Sequence, residues 1–293
     1  MRPMPTLLSF GHGYSAAAMA ARLIPMGWRV IGTTRSEERM AEMEAAGVEP
    51  RRFGADLSEE IRGATHVLTS VPPKDGGDPV LERYGAELRA ASPVWAGYLS
   101  TTAAYGDRQG GWVDESSALT PASSRGAARV AAESDWDATG LPLHIFRLAG
   151  IYGPGRGPFR KLRAGTARRL VKPNQFFSRI HVEDIGRVLA ASAEHPAPPP
   201  YPTVWNLCDD EPAPPQDVMA HAARLLGMEP PPEVAFDEAD LSPMARSFYG
   251  ESKKVSNEKA RRDFGPFLYP GYDSGLRAIL EAETHEGRHL PSR

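Results

Sequence analysis

Short apolar runs alternate with segments of helical periodicity from residue 6 onward. Such alternation is typical of βαβ units, in which helices cover both faces of a parallel sheet. The predicted strands are Leu7–Phe10, Trp28–Thr33, Val48–Phe53, His66–Val71, Trp95–Ser100, Leu143–Leu148 and Val204–Leu207. The pattern therefore predicts an α/β protein built on a doubly wound parallel sheet.

The segments between these strands carry helix start and stop signals. Ser15–Met26 has small and apolar residues at helical spacing, and Gly27 follows it, as is typical of a helix end. Ser36 is placed to cap a helix that runs to Ala46. The other predicted helices begin near Pro79 and span Pro121–Thr139, Gln216–Leu226 and Asp273–Glu283.

Proline and glycine mark where the chain leaves the sheet. Gly153–Pro158 reads GPGRGP and residues 196–202 read PAPPPYP, and neither segment has helix or strand potential. After residue 212 the alternation of strands and helices stops. We therefore predict a sheet domain of residues 1–155 and 178–212, a smaller and mainly carboxy-terminal lobe of residues 156–177 and 213–285, and a tail of residues 286–293.

Composition narrows the class of protein. The 293 residues are 41% apolar and 24% charged, which is ordinary for a globular chain. Lys and Arg total 34 against 37 Asp and Glu, with no long basic run, so nucleic acid is not an expected partner. No apolar stretch approaches the roughly 18 residues of a membrane span. The one cysteine, Cys208, excludes an internal disulfide and a cysteine-based zinc site, and it fits a core residue of a cytoplasmic protein.

A glycine-rich turn follows the first predicted strand and precedes the first predicted helix. The segment Gly11-His12-Gly13-Tyr14-Ser15-Ala16 matches the pattern G-x-G-x-x-[GA]. In this pattern the first glycine allows the tight turn, the second admits a pyrophosphate, and the small third residue lets the helix pack on the strand. The segment predicts a dinucleotide site in a sheet of the Rossmann type, although a glycine turn without a ligand has the same sequence.

The end of the second strand bears on the choice of dinucleotide. Proteins that prefer NAD usually place Asp or Glu there, whereas this chain reads Thr33-Thr34-Arg35. Arg35 at a helix start is unfavourable against the helix dipole, so we expect it to meet a 2′-phosphate and the cofactor to be NADP, with NAD possible. Arg35 could equally be a solvated residue. Asp56-Leu57, after the third strand, is a candidate to meet the adenine or to cap the next turn.

Several segments together resemble the short-chain dehydrogenase/reductase superfamily. The resemblance is to the extended, epimerase/dehydratase-like branch and its atypical, YeeZ-like members. It is carried by Ser9–Ala16, Tyr98–Asp107, Arg147–Pro154, Arg179–Ile185, Trp205–Asp210 and Ser252–Lys259. The resemblance implies a cofactor domain and a smaller lobe that closes over a substrate, often a nucleotide-linked sugar.

The resemblance also implies catalytic positions, and here the chain departs from it. The family's Ser or Thr falls at Thr101, which could instead satisfy backbone groups at its strand end. Counting back from Glu133 places the family's lysine at Arg129 and its catalytic tyrosine at Arg125. Because a guanidinium stays protonated in proteins, Arg125 cannot replace the tyrosine as an acid and base.

The remaining candidates have simpler interpretations. Arg125 and Arg129 are four residues apart, so we expect them on one helix face, where they could hold the cofactor or an anionic substrate. Tyr249 and Lys253 share the Tyr-x-x-x-Lys spacing, but they lie in the carboxy-terminal lobe, where chance is the better explanation. His181 and Asp184 are expected to fix a loop and cap the following helix.

Two classes of function follow. The chain is expected to be an NADP-dependent oxidoreductase or epimerase-like enzyme acting on a small or nucleotide-linked sugar-like substrate, without a metal. The alternative is a non-catalytic NADP(H)-binding sensor or scaffold, which the missing tyrosine favours. A flavin or S-adenosylmethionine at the glycine turn is disfavoured by the later family-like segments. The sequence does not indicate an oligomeric state.

Overall fold

A computed structural model describes residues 4–74 and 77–287. The strands are β1 Thr6–Phe10, β2 Arg29–Thr34, β3 Glu49–Arg52, β4 His66–Thr69, β5 Trp95–Thr101, β6 Trp112–Val113, β7 Leu143–Leu148, β8 Gly150–Tyr152, β9 Arg169–Val171, β10 Arg179–His181, β11 Thr203–Leu207, β12 Glu233–Ala235 and β13 Lys254–Val255. The helices are α1 Tyr14–Leu23, α2 Glu37–Ala45, α3 Ser58–Gly63, α4 Pro79–Ala91, α5 Ser124–Asp137, α6 Phe159–Arg163, α7 Val182–Glu194, α8 Pro215–Leu225, α9 Pro243–Phe248, α10 Glu258–Phe264 and α11 Tyr272–Gly287.

Seven strands form the central sheet, in the order β11-β7-β5-β4-β1-β2-β3. The pairings of β1 with β2 and β4, of β2 with β3, and of β5 with β4 and β7 are all parallel. The predicted α/β fold with a doubly wound parallel sheet is therefore confirmed. Because β1 lies between β2 and β4, the strand order reverses at β1, and ligands of such sheets bind beside that point.

The first compact unit comprises the residues up to Ala104 together with Ser124–Leu148 and Val182–Trp205. Its core is apolar on one face of the sheet, with Phe10, Tyr84 and Trp136 among the fully or nearly fully buried side chains. On α7, a Cβ at Gly186 would lie 2.6 Å from the backbone oxygen of Ala18, so glycine lets α1 and α7 approach closely.

The second compact unit comprises Tyr105–Ser123, Ala149–His181 and the residues from Asn206 onward. Three two-stranded parallel sheets hold it together, pairing β8 with β10, β9 with β12 and β6 with β13. An apolar cluster from α6, α8 and α11 forms its core. Because these short strands pair with one another, residues 105–123, 149–155, 178–181 and 206–212 belong to this unit, whereas the sequence analysis assigns them to the sheet domain.

The structure differs from the predicted elements in a few places. The first helix ends at Leu23 and continues as a 3₁₀ turn over Ile24–Met26, and α5 begins at Ser124 rather than Pro121. Within the predicted tail, residues 286–287 end α11 and residues 288–293 lie outside the described residues. Within residues 4–74 and 77–287, no helix is both long enough and apolar enough to cross a membrane.

Candidate functional site

The glycine turn lies at the carboxyl end of β1, where the strand order reverses. Gly11 has φ +72°, and a Cβ there would lie 2.9 Å from Cγ2 of Val71. The Gly11 amide donates to Oγ1 of Thr33 at 2.9 Å, and the hydroxyl of Ser70 donates to the Gly11 carbonyl oxygen. The fold of the turn itself therefore requires a glycine at this position.

Gly13 differs from Gly11, because the turn places no such demand on it. Its backbone, with φ −103° and ψ −160°, is open to any residue. A Cβ at Gly13 would meet only the carbonyl oxygen of Gly11, at an ordinary 3.7 Å. Apart from its two neighbours in the chain, no residue comes closer than this to the Cβ position of Gly13, which leaves room for a closely approaching ligand.

The amino terminus of α1 is open toward this space. Gly13 occupies the N-cap position without a side-chain cap, and the first turn carries no acidic residue. Ala16 is fully buried against the sheet, so a larger residue there would push the helix away. A helix start without a side-chain cap is suited to an anion, since the helix dipole is positive there.

His12, within the turn, is a buried and neutral side chain. It is 4% exposed, its amide donates to the Thr33 carbonyl at 2.8 Å, and its Nδ1 atom has no hydrogen-bond partner. Burial and then the charge of Arg39 lower the pKa of His12 to about 4. The charge of Arg39 on α2 therefore acts on the turn, which the sequence does not indicate because the two residues belong to separate elements.

The end of β2 is arranged around helix α2. Oγ1 of Thr34 accepts from the amide of Ser36 at 3.2 Å, and the Ser36 hydroxyl caps α2 by accepting from the Arg39 amide, as predicted. Arg35 is exposed and forms no ion pair within the described part of the chain. Glu37 pairs with Arg52 instead. The Arg35 guanidinium is therefore free to meet an anion.

Asp56 and Leu57 have local structural partners. The Asp56 carboxylate accepts from the amide of Ser58 at 2.9 Å and from its hydroxyl at 2.6 Å. These bonds lower the pKa of Asp56 and tie it to Ser58, the first residue of α3, whose N-cap residue is Leu57. Leu57 is 1% exposed and packs in the core. Contact of this pair with an adenine stays a prediction.

Thr101 and Arg129 lie around the end of β5. Thr101 is half-buried, and its Oγ1 accepts from the amide of Ala103 at 3.2 Å. Nη1 of Arg129 donates to the hydroxyl of Tyr98 at 3.1 Å and to the carbonyl of Leu99 at 2.8 Å. Burial raises the pKa of Tyr98 to about 12, so this phenol stays protonated near pH 7. Arg129 thus stabilises β5 directly.

Arg125, one turn before Arg129 on α5, is exposed. Arg129 forms two hydrogen bonds to β5, whereas the Arg125 side chain is exposed to solvent. The prediction that both arginines hold one anion stays a prediction, and Arg129 has a structural role besides.

Glu133, from which the positions of Arg129 and Arg125 are counted, is a buried residue of α5. It is 5% exposed, accepts from the hydroxyl of Ser100 at 2.5 Å, and pairs with Arg147 through bonds of 2.7 and 3.1 Å. A buried carboxylate with these three hydrogen bonds ties α5 to β5 and β7. The sequence pattern marks the residue, but only the fold reveals its partners.

Tyr249 and Lys253 do not form a tyrosine and lysine pair. Lys253 donates to the carbonyl of Gly106 at 2.8 Å and pairs with Glu251 at 2.5 Å. Burial raises the pKa of Tyr249, and the opposing charge that acts on it is that of Arg179. The Lys253 ammonium is therefore engaged away from Tyr249, and the interpretation of the spacing as chance stays a prediction.

The other residues named in the sequence analysis, His181, Asp184 and Cys208, are buried. Asp184 is in the first turn of α7, and His181 ends β10 in contact with the ring of Tyr269, with centroids 4.0 Å apart. The Cys208 thiol donates to the Val255 carbonyl, and burial raises its pKa well above its usual range. The described residues contain no group of three or more His, Cys, Asp or Glu that could hold a metal ion.

The chain is similar to two proteins along most of its length. Protein YeeZ of Escherichia coli K12 is 28% identical over 241 residues, which cover 75% of this chain and 84% of YeeZ. A solved structure of a functionally unknown conserved protein from Silicibacter pomeroyi DSS is 53% identical, with a TM-score of 0.90, and the match covers 95% of this chain and 99% of that one. No protein-family model matches the chain.

More distant solved structures share the fold. A UDP-glucuronic acid 4-epimerase from Bacillus cereus, in complex with NAD, is 16% identical with a TM-score of 0.74, covering 98% of this chain and 99% of that one. A human epimerase family protein with NADPH is 16% identical with a TM-score of 0.71, covering 94% and 99% of the two chains. The shared fold and the similarity to YeeZ agree with the resemblance inferred from the motifs.

Proposed function

Since the chain belongs to the same family as the conserved Silicibacter pomeroyi protein and has the fold of nicotinamide-dependent epimerases, we propose that it binds NADP(H) at the turn Gly11–Ala16. The observation that carries this proposal is the free space at Gly13, beside the uncapped start of α1. A pyrophosphate there would accept hydrogen bonds from the first-turn amides of the helix. Since no contact within the protein requires a glycine at position 13, we infer that the glycine is there to make room for a ligand.

NADP rather than NAD is proposed on the charges at the end of β2. Arg35 is exposed and without an ion pair among the described residues, and Arg39 is four residues further along, exposed, and coupled to His12. The hydroxyl of Thr34 accepts from Ser36, and the strand end offers no carboxylate for ribose hydroxyls. Two guanidinium groups, one directly after β2 and one on α2, favour a ligand with an additional phosphate.

The first prediction is that Arg35→Ala weakens NADPH binding about tenfold to hundredfold and leaves NADH binding unchanged, because one charge-assisted contact to the 2′-phosphate is lost. Isothermal titration calorimetry with both dinucleotides measures the effect. Arg62→Ala is the matched control, since Arg62 is an exposed arginine on α3. Equal affinity of the wild-type protein for NADPH and NADH would contradict the choice of NADP.

A reaction at this cofactor would be an oxidoreduction or an epimerisation on a small or nucleotide-linked sugar-like substrate. When bound, the nicotinamide supplies hydride transfer. Thr101 would hydrogen-bond the reacting oxygen, because it is half-buried at the carboxyl end of β5. The Arg129 guanidinium would supply positive charge beside the nicotinamide ribose.

A non-catalytic NADP(H)-binding sensor or scaffold is the second candidate, and one observation favours it. Tyr98, a phenol on β5, is fully buried, and burial raises its pKa to about 12. Its hydroxyl also accepts from Arg129. A phenol in this state is a poor proton donor and acceptor for a substrate at neutral pH.

The second prediction separates these candidates. If the protein is an enzyme, Thr101→Ala should lower kcat about hundredfold with unchanged NADPH affinity, because a hydrogen bond to the reacting oxygen is lost. The assay is NADPH oxidation in the presence of nucleotide-linked sugars. Thr101→Ser keeps the hydroxyl and is the control. An unchanged kcat in Thr101→Ala would assign Thr101 to structure alone, and NADPH binding without any turnover by the wild type would favour the sensor.

A further inference from the structure

His12, the residue between the two glycines of the turn, fills a gap that Gly32 leaves on β2. A Cβ built at Gly32 would lie 2.8 Å from both Cβ and Cγ of His12, and 2.6 Å from Cε of Met43 on α2. The His12 amide donates to the carbonyl oxygen of Thr33, the next residue of β2, at 2.8 Å. The imidazole is therefore held against the carboxyl-terminal half of β2, beside Met43.

The His12 ring forms no hydrogen bond with any residue that the structure describes. The residue is nevertheless 4% exposed, and its Nδ1 atom is buried. The buried histidines His66 and His144 of the same compact unit behave differently, because both ring nitrogens of each have partners at 2.8–3.1 Å. An unpaired buried polar ring costs free energy and calls for a reason other than folding. A bound ligand would supply that reason.

The ring can offer one hydrogen-bond donor without bringing a charge. Because Nδ1 is enclosed by the protein, Nε2 is the ring nitrogen that is left to meet a ligand. No partner fixes the tautomer of His12, so the proton is free to lie on Nε2. Burial and then the charge of Arg39 lower the pKa of His12 to about 4, so the imidazole is neutral at pH 7.

The position of the ring indicates which part of a dinucleotide it would meet. In sheets of this type the end of the second strand lies beside the adenosine ribose, where a carboxylate serves a free 2′-hydroxyl and an arginine serves a 2′-phosphate. Here β2 ends at Thr34, two residues after Gly32, and the exposed Arg35 follows directly. An imidazole N–H together with a guanidinium is a donor set for a phosphate, whose oxygens are hydrogen-bond acceptors.

We propose that Nε2–H of His12 donates to the 2′-phosphate of the bound dinucleotide and that His12, with Arg35, makes the site selective for NADP(H). This role deepens the proposed function and requires it to be correct. Gly32 then has a part in the selectivity, because a side chain there would displace the ring from β2. His12 is a specificity-determining residue in this proposal and takes no part in chemistry at the nicotinamide.

The test compares two ligands that differ only in the 2′-phosphate, adenosine 2′,5′-bisphosphate and adenosine 5′-monophosphate, by isothermal titration calorimetry. His12→Phe keeps a planar ring and removes the donor, so it should weaken bisphosphate binding about tenfold and leave monophosphate binding unchanged. His12→Gln keeps a side-chain N–H and should retain most of the preference for the bisphosphate. His195→Phe is the matched control, since His195 is an exposed histidine of the same compact unit, and it should change neither affinity.

Each other outcome has a definite meaning. A preference for the bisphosphate that is as large in His12→Phe as in the wild type overturns the role of His12. An equal loss for both ligands overturns the assignment to the 2′-phosphate, because His12 would then contact a part that the ligands share. If His12→Phe does not fold, His12→Ala gives the same comparison. Wild-type protein that binds neither NADPH nor NADH refutes the proposed function itself, whereas intact NADPH selectivity in His12→Phe and His12→Ala refutes the role of His12 alone.

Discussion

Replacing Gly13 by valine is expected to weaken NADPH binding about hundredfold or more while the protein keeps its fold. The valine side chain would occupy the free space beside the start of α1 and hold a pyrophosphate away from the helix amides, which costs several charge-assisted hydrogen bonds. Since the nearest atom outside the neighbouring residues is 3.7 Å from a Cβ at Gly13 and φ is −103°, the empty protein is expected to tolerate the change. Calorimetry and thermal unfolding measure the two effects.

Two glycine variants serve as controls for this prediction. Gly63, at the end of α3, has nothing within 4 Å of its Cβ position, and Gly63→Val should leave NADPH binding unchanged. Gly11→Val should instead destabilise the empty protein, because Gly11 has φ +72° and a Cβ contact of 2.9 Å. Wild-type NADPH affinity in Gly13→Val would show that the space at Gly13 does not hold the pyrophosphate.

Glu133→Gln is expected to lower the free energy of unfolding by about 3–5 kcal/mol, because it leaves the buried Arg147 guanidinium without its counterion. Glu133 and Arg147 are 5% exposed and joined by two hydrogen bonds, so the unpaired charge cannot be solvated without moving the strand. Denaturant unfolding, followed by tryptophan fluorescence, measures the loss. Trp136 is on the same helix and is 1% exposed, so it reports on this region.

The exposed pair Arg39–Glu42, at 3.7 Å, supplies the matched control for the Glu133→Gln variant. Glu42→Gln removes the same charge and should change the free energy of unfolding by about 0.5 kcal/mol or less. The double variant Glu133→Leu/Arg147→Met should recover much of the stability lost in Glu133→Gln, since it removes both charges together. A loss in Glu133→Gln no larger than in Glu42→Gln would mean that the pair is not desolvated in solution.

The sequence by itself determined the class of fold and the position of the glycine turn. Strands β1, β2, β5 and β7 and the helix after Gly13 are predicted within a few residues, because a buried parallel strand needs a continuous apolar run and a helix needs periodic apolar residues. The cap of α2 by Ser36 is likewise local in sequence. These features depend on neighbours along the chain, and the amino-acid order records them directly.

The tertiary structure alone decided which side chains meet across the fold. The strands β8 and β10 are three residues long, and they form only because distant segments pair, so no local pattern announces them. The contact of Arg129 with Tyr98 depends on how α5 packs on β5. The hydrogen bonds of Arg179 to the carbonyl oxygens of Phe177 and Ala213 are visible only once the chain around it is folded, since Ala213 is 34 residues away in the sequence. The partners of a charged side chain and the extent of its burial are set by the packing around it, which the order of residues does not show directly.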